Sequence, residues 1–189
     1  MNDEADGDGL RASELVPATG GQWDGLLFDN PTLGMMPWLS WSFTFLFADV
    51  SRDDGSSPVS LCIEWVPLTT ATWRDMAGQA LRNSRFAEPA EASVYFFEHH
   101  RYDTVDLQVV EQHGLEIRVA ATVSGDLDGL GVDQLTVDQW MTFAGIHVSL
   151  STARSAEAAS ARLKDFTDVI GLSCSPRRTA GNFMFSPSG

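Results

Sequence analysis

Lysine is almost missing from this chain. Lys164 stands alone beside eleven arginines, and 26 acidic side chains outweigh the 12 basic ones to give a net charge of −14 over 189 residues. A surface so poor in positive charge cannot neutralise phosphates, which excludes nucleic acid and anionic membrane as partners. Cysteine is nearly absent too: Cys62 and Cys174 lie far apart, and read as reduced, small apolar residues of a cytosolic protein. No basic segment followed by an apolar one opens the sequence, so no export signal is read and a cytoplasmic location is expected. A run of roughly 20 apolar residues, which a membrane helix needs, is lacking as well. The nearest approach, Leu33 to Val50, is broken by Gly34, Pro37, Ser40, Ser42 and Thr44. Sequence motifs of catalysis are equally scarce. There is no Gly-x-Ser-x-Gly, no Walker lysine, no His-Glu-x-x-His and no Cys-x-x-Cys, which removes the common signatures of hydrolases, nucleotide enzymes and zinc sites. No cofactor is expected.

What is present is a core. Apolar residues make up 43% of the chain, sufficient for one domain of ordinary size. The arginine bias, with abundant Ala, Gly and Asp, is the codon signature of a GC-rich bacterium. No internal repeat is visible. Residues 1–21, with Asp3, Glu4, Asp6 and Asp8 in the first nine, read as an acidic flexible tail. Residues 22–174 read as a single domain and 175–189 as a C-terminal tail.

Strands dominate the pattern. Trp23–Phe28 reads as a short strand. Trp41, Phe43, Phe45 and Phe47 alternate with smaller residues, a strand with one buried face. Ser60–Val66 returns against it across the turn Arg52-Asp53-Asp54-Gly55-Ser56-Ser57-Pro58. Ser93–His100, Thr104–Glu111 and Leu115–Val123 follow as a meander. A three-residue loop, Gln112-His113-Gly114, would pair Val109 with Ile117 and keep the apolar residues on one face, with Gly114 at positive φ. Gly125–Asp133 resembles a calcium loop, but Leu130 and Val137 occupy ligand positions, so it reads as a connector. Thr136–Leu150 reads as two strands or one bulged strand, with the bulge or break at Gly145.

Two helices are expected. Thr72–Ser84 places Trp73, Met76, Ala77, Ala80 and Leu81 on one stripe. Ser155–Ile170 has Ser155 as cap, Gly171 after its end, and Ala159, Leu163, Phe166, Val169 and Ile170 as its buried stripe. The expected class is therefore α+β: a largely antiparallel twisted sheet with helices packed on it.

The order hairpin, helix, meander, then Trp140-Met141-Thr142-Phe143-Ala144-Gly145-Ile146-His147-Val148-Ser149-Leu150-Ser151 and the helix through Leu163-Lys164-Asp165-Phe166-Thr167-Asp168-Val169-Ile170, resembles the Mog1/PsbP-like family over residues 93–174. That resemblance implies an α/β/α sandwich, no shared catalytic residues, and a role in binding partners, as in secretion-associated chaperones.

Two clusters compete as functional sites. Of six tryptophans, Trp41, Trp65 and Trp73 fit core positions. Met35, Met36 and Trp38 precede a strand in a loop, and Phe183-Met184-Phe185 lies near the C-terminus. Such aromatic and methionine clusters suit protein contact. The chain is thus expected to be a non-enzymatic, chaperone-like accessory or protein-binding domain, with Met35, Met36, Trp38, Phe183 and Phe185 at its contact surface. The alternative is a small metal-dependent or hydrolytic enzyme around His99, His100 and Asp103, with His113 or His147 as distant ligands; strand geometry would point His99 and His100 to opposite faces. A third reading is a regulatory or immunity-type protein whose acidic surface masks a basic partner.

Overall fold

The computed structural model describes residues 9–53, 55–83, 90–176 and 181–188, with the backbone alone at Asn83 and Pro176. Asp54, the four acids of residues 1–8, Ser84 and the Arg177-Arg178 pair lie outside the described residues. The strands are β1 (Gln22–Asn30), β2 (Met35–Arg52), β3 (Gly55–Val66), β4 (Ala80–Asn83), β5 (Glu91–Phe96), β6 (Glu98–Tyr102), β7 (Thr104–His113), β8 (Glu116–Ser124), β9 (Gln134–Ser149), β10 (Leu172–Pro176) and β11 (Asn182–Pro187). Among the described residues the single α-helix is α1 (Ala156–Leu163).

All eleven strands join one sheet, with the path β4-β7-β8-β9-β1-β2-β3-β5-β6. The long strand β9 changes partners along its length. Its first part pairs with β8 as far as Thr142, and its last part pairs with β11 from Ile146 to Ser149. On its other edge it runs parallel to β1, the one parallel pair described. The expected α+β class, and the α/β/α sandwich implied by the resemblance, are therefore corrected: this is a mainly β protein, with one short α-helix among the described residues.

The first expected helix shows why. Trp73 and Met76 are buried as their spacing required, but they enter the core from two turns. Gly78 has φ +84, outside the helical region. The backbone bonds go to β7 instead: Gly78 N–H donates to Val109 O and Val109 N–H to Gln79 O. The Gln112 side chain takes the Met76 N–H and donates to Trp73 O. With its hydrogen bonds satisfied by β7, the segment continues as the edge strand β4. The second helix starts where expected, with Ser155 Oγ accepting from Ala158 N–H. It stops at Leu163, and the turns beyond it are tied to the first segment: Trp73 N–H donates to Thr167 Oγ1, and Arg74 pairs with Asp168 at 3.0 Å.

Two strand expectations are corrected as well. Ser93–His100 is not one strand. Phe97, at φ +57, reverses the chain, and β6 folds back on β5 with His99 opposite Tyr95. The β7–β8 hairpin closes on Gly114-Leu115, not on three residues; His113 faces Glu116 and Gly114 has φ +62. A bulge at Val110 then shifts the register by one, so that Val109 meets Val119 and Leu107 meets Ala121. The single apolar face is reached by a bulge where a longer loop was expected. The bulge expected in β9 lies beside Gly145: Phe143 pairs with Trp23 and Gly145 with Asp24, which leaves Ala144 as the extra residue.

Only Asp103 separates β6 from β7, yet these strands lie at opposite wings of the sheet. The sheet must therefore curl until its wings face each other. Inward residues of both wings meet in one core, centred on Trp23, Trp41, Phe43, Trp73 and Phe143. Trp73 stacks on Phe143 at 4.6 Å, and Phe143 lies 4.3 Å from Trp23. Residues 9–21 lie against β2 and the β8–β9 connector, with Leu10 and Leu15 in the core. At the other end, β11 is paired with β9.

Candidate functional site

The outward face of the β1–β2–β3 wing carries the most unusual surface. The β1–β2 connection is built by Asn30, whose Oδ1 accepts from Leu33 N–H at 3.3 Å, and by Gly34 in the left-handed region at φ +70. This tight turn starts β2 at Met35 and leaves Leu33, Met35 and Met36 in solvent, 73%, 41% and 77% exposed. Along the same hairpin Phe28 is the direct partner of Trp38. These two alternate with inward residues, so both face outward.

Trp65 joins them through a bulge. Trp41 pairs with Val66 and Phe43 with Ile63, so Glu64 and Trp65 together oppose Ser42. Trp65 has φ +59, a strained setting for a bulky residue that costs on the order of 1–3 kcal/mol. The bulge turns its indole outward, to stack on Trp38 at 6.5 Å and meet Phe28 edge-on at 6.0 Å. Trp38 Nε1 is buried with no hydrogen-bond partner among the described residues. Two local costs, a strained backbone and an unpaired N–H, thus coincide with one exposed apolar surface. Strict alternation from Leu61 put Trp65 in the core, and only the bulge moves it out. Phe28 and Leu33 were likewise missed; the Asn30-Pro31 turn that raises them was the available signal.

Other expected site residues are dispersed. Phe183 and Phe185 are corrected to core residues, 6% and 2% exposed, because β11 turns them inward against β9. Met184 faces outward beside His147. His99 is exposed and contacts the Tyr95 ring at 5.1 Å, while His100 pairs with Val94 on the opposite face. Asp103 N–H donates to Ser124 O at the chain crossing. His113 rests on Trp140 at the β7–β8 tip. Among the described residues no three His, Cys, Asp or Glu side chains come together as a metal would require. In the Gly125–Asp133 connector the acids serve the loop itself: Asp133 accepts from Leu127 N–H and Asp126 from Asp128 N–H.

Among the described residues reactive groups are not concentrated elsewhere. Cys62 and Cys174 are free, and β11, β9, β1 and β2 separate their strands. Burial pushes both thiols up, the opposite of an activated nucleophile. A cleft of about 410 Å³ lies between Trp73, Arg74, Gln112 and Gly171. Its polar groups are engaged in the fold, Gln112 with the Trp73–Met76 turn and Arg74 with Asp168. Among the described residues no helix is long and apolar enough to cross a membrane.

Comparison with known proteins returns no match: no family model fits the chain, and no curated protein or solved structure proves similar to it.

Proposed function

We propose that this chain is a non-enzymatic protein-binding domain, an accessory factor of the cytoplasm, that docks its partner on the Leu33–Met36 turn and the adjoining Phe28, Trp38 and Trp65 rings. The observation that carries this reading is contiguity. Three large apolar side chains stand in solvent beside an outward aromatic stack, where a soluble fold gains nothing by leaving them exposed. Methionine adapts to different partner shapes, and stacked tryptophans supply rigid contact area at small entropic cost. The two free thiols suit a reducing compartment.

The test is affinity capture from the native host with the wild-type chain and with Leu33→Ser/Met36→Ser. Both residues are exposed, so the variant keeps its circular dichroism spectrum and melting temperature. A partner captured by the wild-type chain is lost with the variant. Retention of every captured protein by the variant removes this surface from consideration.

A further inference from the structure

We infer that the partner segment docking on this surface is both apolar and basic: a stretch of chain that sets leucine-like side chains on the aromatic stack and lysine or arginine against its rim. This rests on the docking surface proposed above and adds the chemistry of the occupant. The rim is defined by the strand pairing. Glu64 shares the bulge with Trp65 and lies outside beside it. Across the β3–β5 pair Glu64 directly faces Glu91, an arrangement that like charges disfavour. Arg101 on β6 relieves Glu91 at 3.3 Å, and no ion pair to Glu64 is formed among the described residues. Among the described residues two facing carboxylates meet a single arginine, so this face is anionic as well as apolar.

Other occupants meet that charge unfavourably. A second copy brings another chain of net charge −14 to the same face, and an acidic segment or an anionic lipid surface is repelled in the same way. A cationic segment instead relieves the Glu64–Glu91 opposition while its apolar side chains cover Leu33, Met36 and Trp65.

Two synthetic peptides of about 14 residues, with leucine at helical spacing and either lysine or glutamate elsewhere, separate the terms. Binding is read by titration calorimetry near physiological salt with the full chain, Glu64→Gln and Leu33→Ser/Met36→Ser. The lysine peptide binds at least about tenfold tighter than the glutamate peptide. Glu64→Gln weakens it by about threefold, as one surface charge should. Leu33→Ser/Met36→Ser weakens it by about tenfold or more, through lost apolar area. Equal binding of both peptides, lost in the serine variant, keeps the docking surface and overturns its basic occupant. Lysine-peptide binding unaffected by the serine variant shows attraction to the whole acidic chain and overturns both. Failure of the lysine peptide to bind, or sedimentation of the wild-type chain as a dimer that the serine variant dissolves, overturns the basic occupant.

Discussion

At Gly145, β9 exchanges β8 for β11 as its neighbour, and the backbone adopts φ +123 to make the bulge. A Cβ built there meets the Phe185 carbonyl oxygen and stands 3.0 Å from Met184 Cε. Gly34 also has a positive φ, at +70 in the left-handed helical region, and nothing lies within 4 Å of its Cβ position. The two glycines differ in how far the backbone departs from what a side chain tolerates and in what that side chain would meet. Gly34→Ala pays the left-handed conformation alone, about 1 kcal/mol. Gly145→Ala adds a clash with the backbone of a paired strand, for a total of about 3 kcal/mol. Urea unfolding of the two variants measures the difference; equal losses would mean that β11 yields without cost. Gly145 was legible in the sequence because it interrupts an alternation that holds on both sides. Trp65 was not, since its own residue type fits an inward strand position and the bulge depends on how β2 aligns with it.

Elements followed their hydrophobic period wherever period alone decides. β2, β3, β7, β8 and β9 are strands with one buried face, as their alternation requires. Period failed where another segment supplied the hydrogen bonds. Trp73 and Met76 mimic a helical stripe, but Gln112 and Val109 satisfy that backbone, which no local pattern reveals. The segment at residues 9–21 is a similar case. It was expected within the tail of residues 1–21, yet Ala18 N–H donates to Leu46 O and Leu10 N–H to Leu130 O, at 2.9 and 2.6 Å. Arg52 secures it with a two-pronged bond to Glu14, at 2.8 and 2.9 Å, while lying over the Phe96 ring. The Arg52 bond holds the Glu14 carboxyl below its usual range, against the opposing effect of burial. A carboxyl depressed on folding contributes stability above its unfolded pKa, and loses it as pH falls through the folded value. Glu14→Gln should therefore cost roughly 1 kcal/mol near neutral pH, the side chains being partly exposed. The gap from wild type should narrow from neutral to acid pH, as the Glu14 carboxyl becomes protonated on falling through its lowered folded pKa. Urea midpoints at the two pH values test this, and a gap that stays constant with pH would show that the ionic bond contributes nothing.

For the whole molecule, the decisive step is the passage from β6 to β7, which carries the chain from one wing of the sheet to the other in a single residue. Nothing in a strand's period encodes which strand becomes its neighbour, so closure of the sheet was not readable from alternation. Its hydrogen bonds are specific nonetheless. Tyr102, 3% exposed, ends β6 and donates its hydroxyl to Val132 O at 2.9 Å, fastening one wing to the connector of the other. Asp103 N–H bonds Ser124 O beside it, and a Cβ on Gly125 would stand 2.7 Å from Asp103 N. Burial also pushes the phenol up, so the donor keeps its proton through the mildly alkaline range. Tyr102→Phe preserves the ring and strands a buried carbonyl, a loss of about 1–2 kcal/mol. Tyr95→Phe, on the outward face of β5, removes a hydroxyl without such a partner among the described residues and should change stability by less than about 0.5 kcal/mol. If the Tyr102 bond joins the wings, the variant should also speed amide exchange at Asp103 and Gly125 together, since Gly125 N–H bonds Asp133 O within the same closure. Exchange accelerated at neither amide, with stability unchanged, would mean that packing of the inward aromatic residues alone keeps the curled sheet shut.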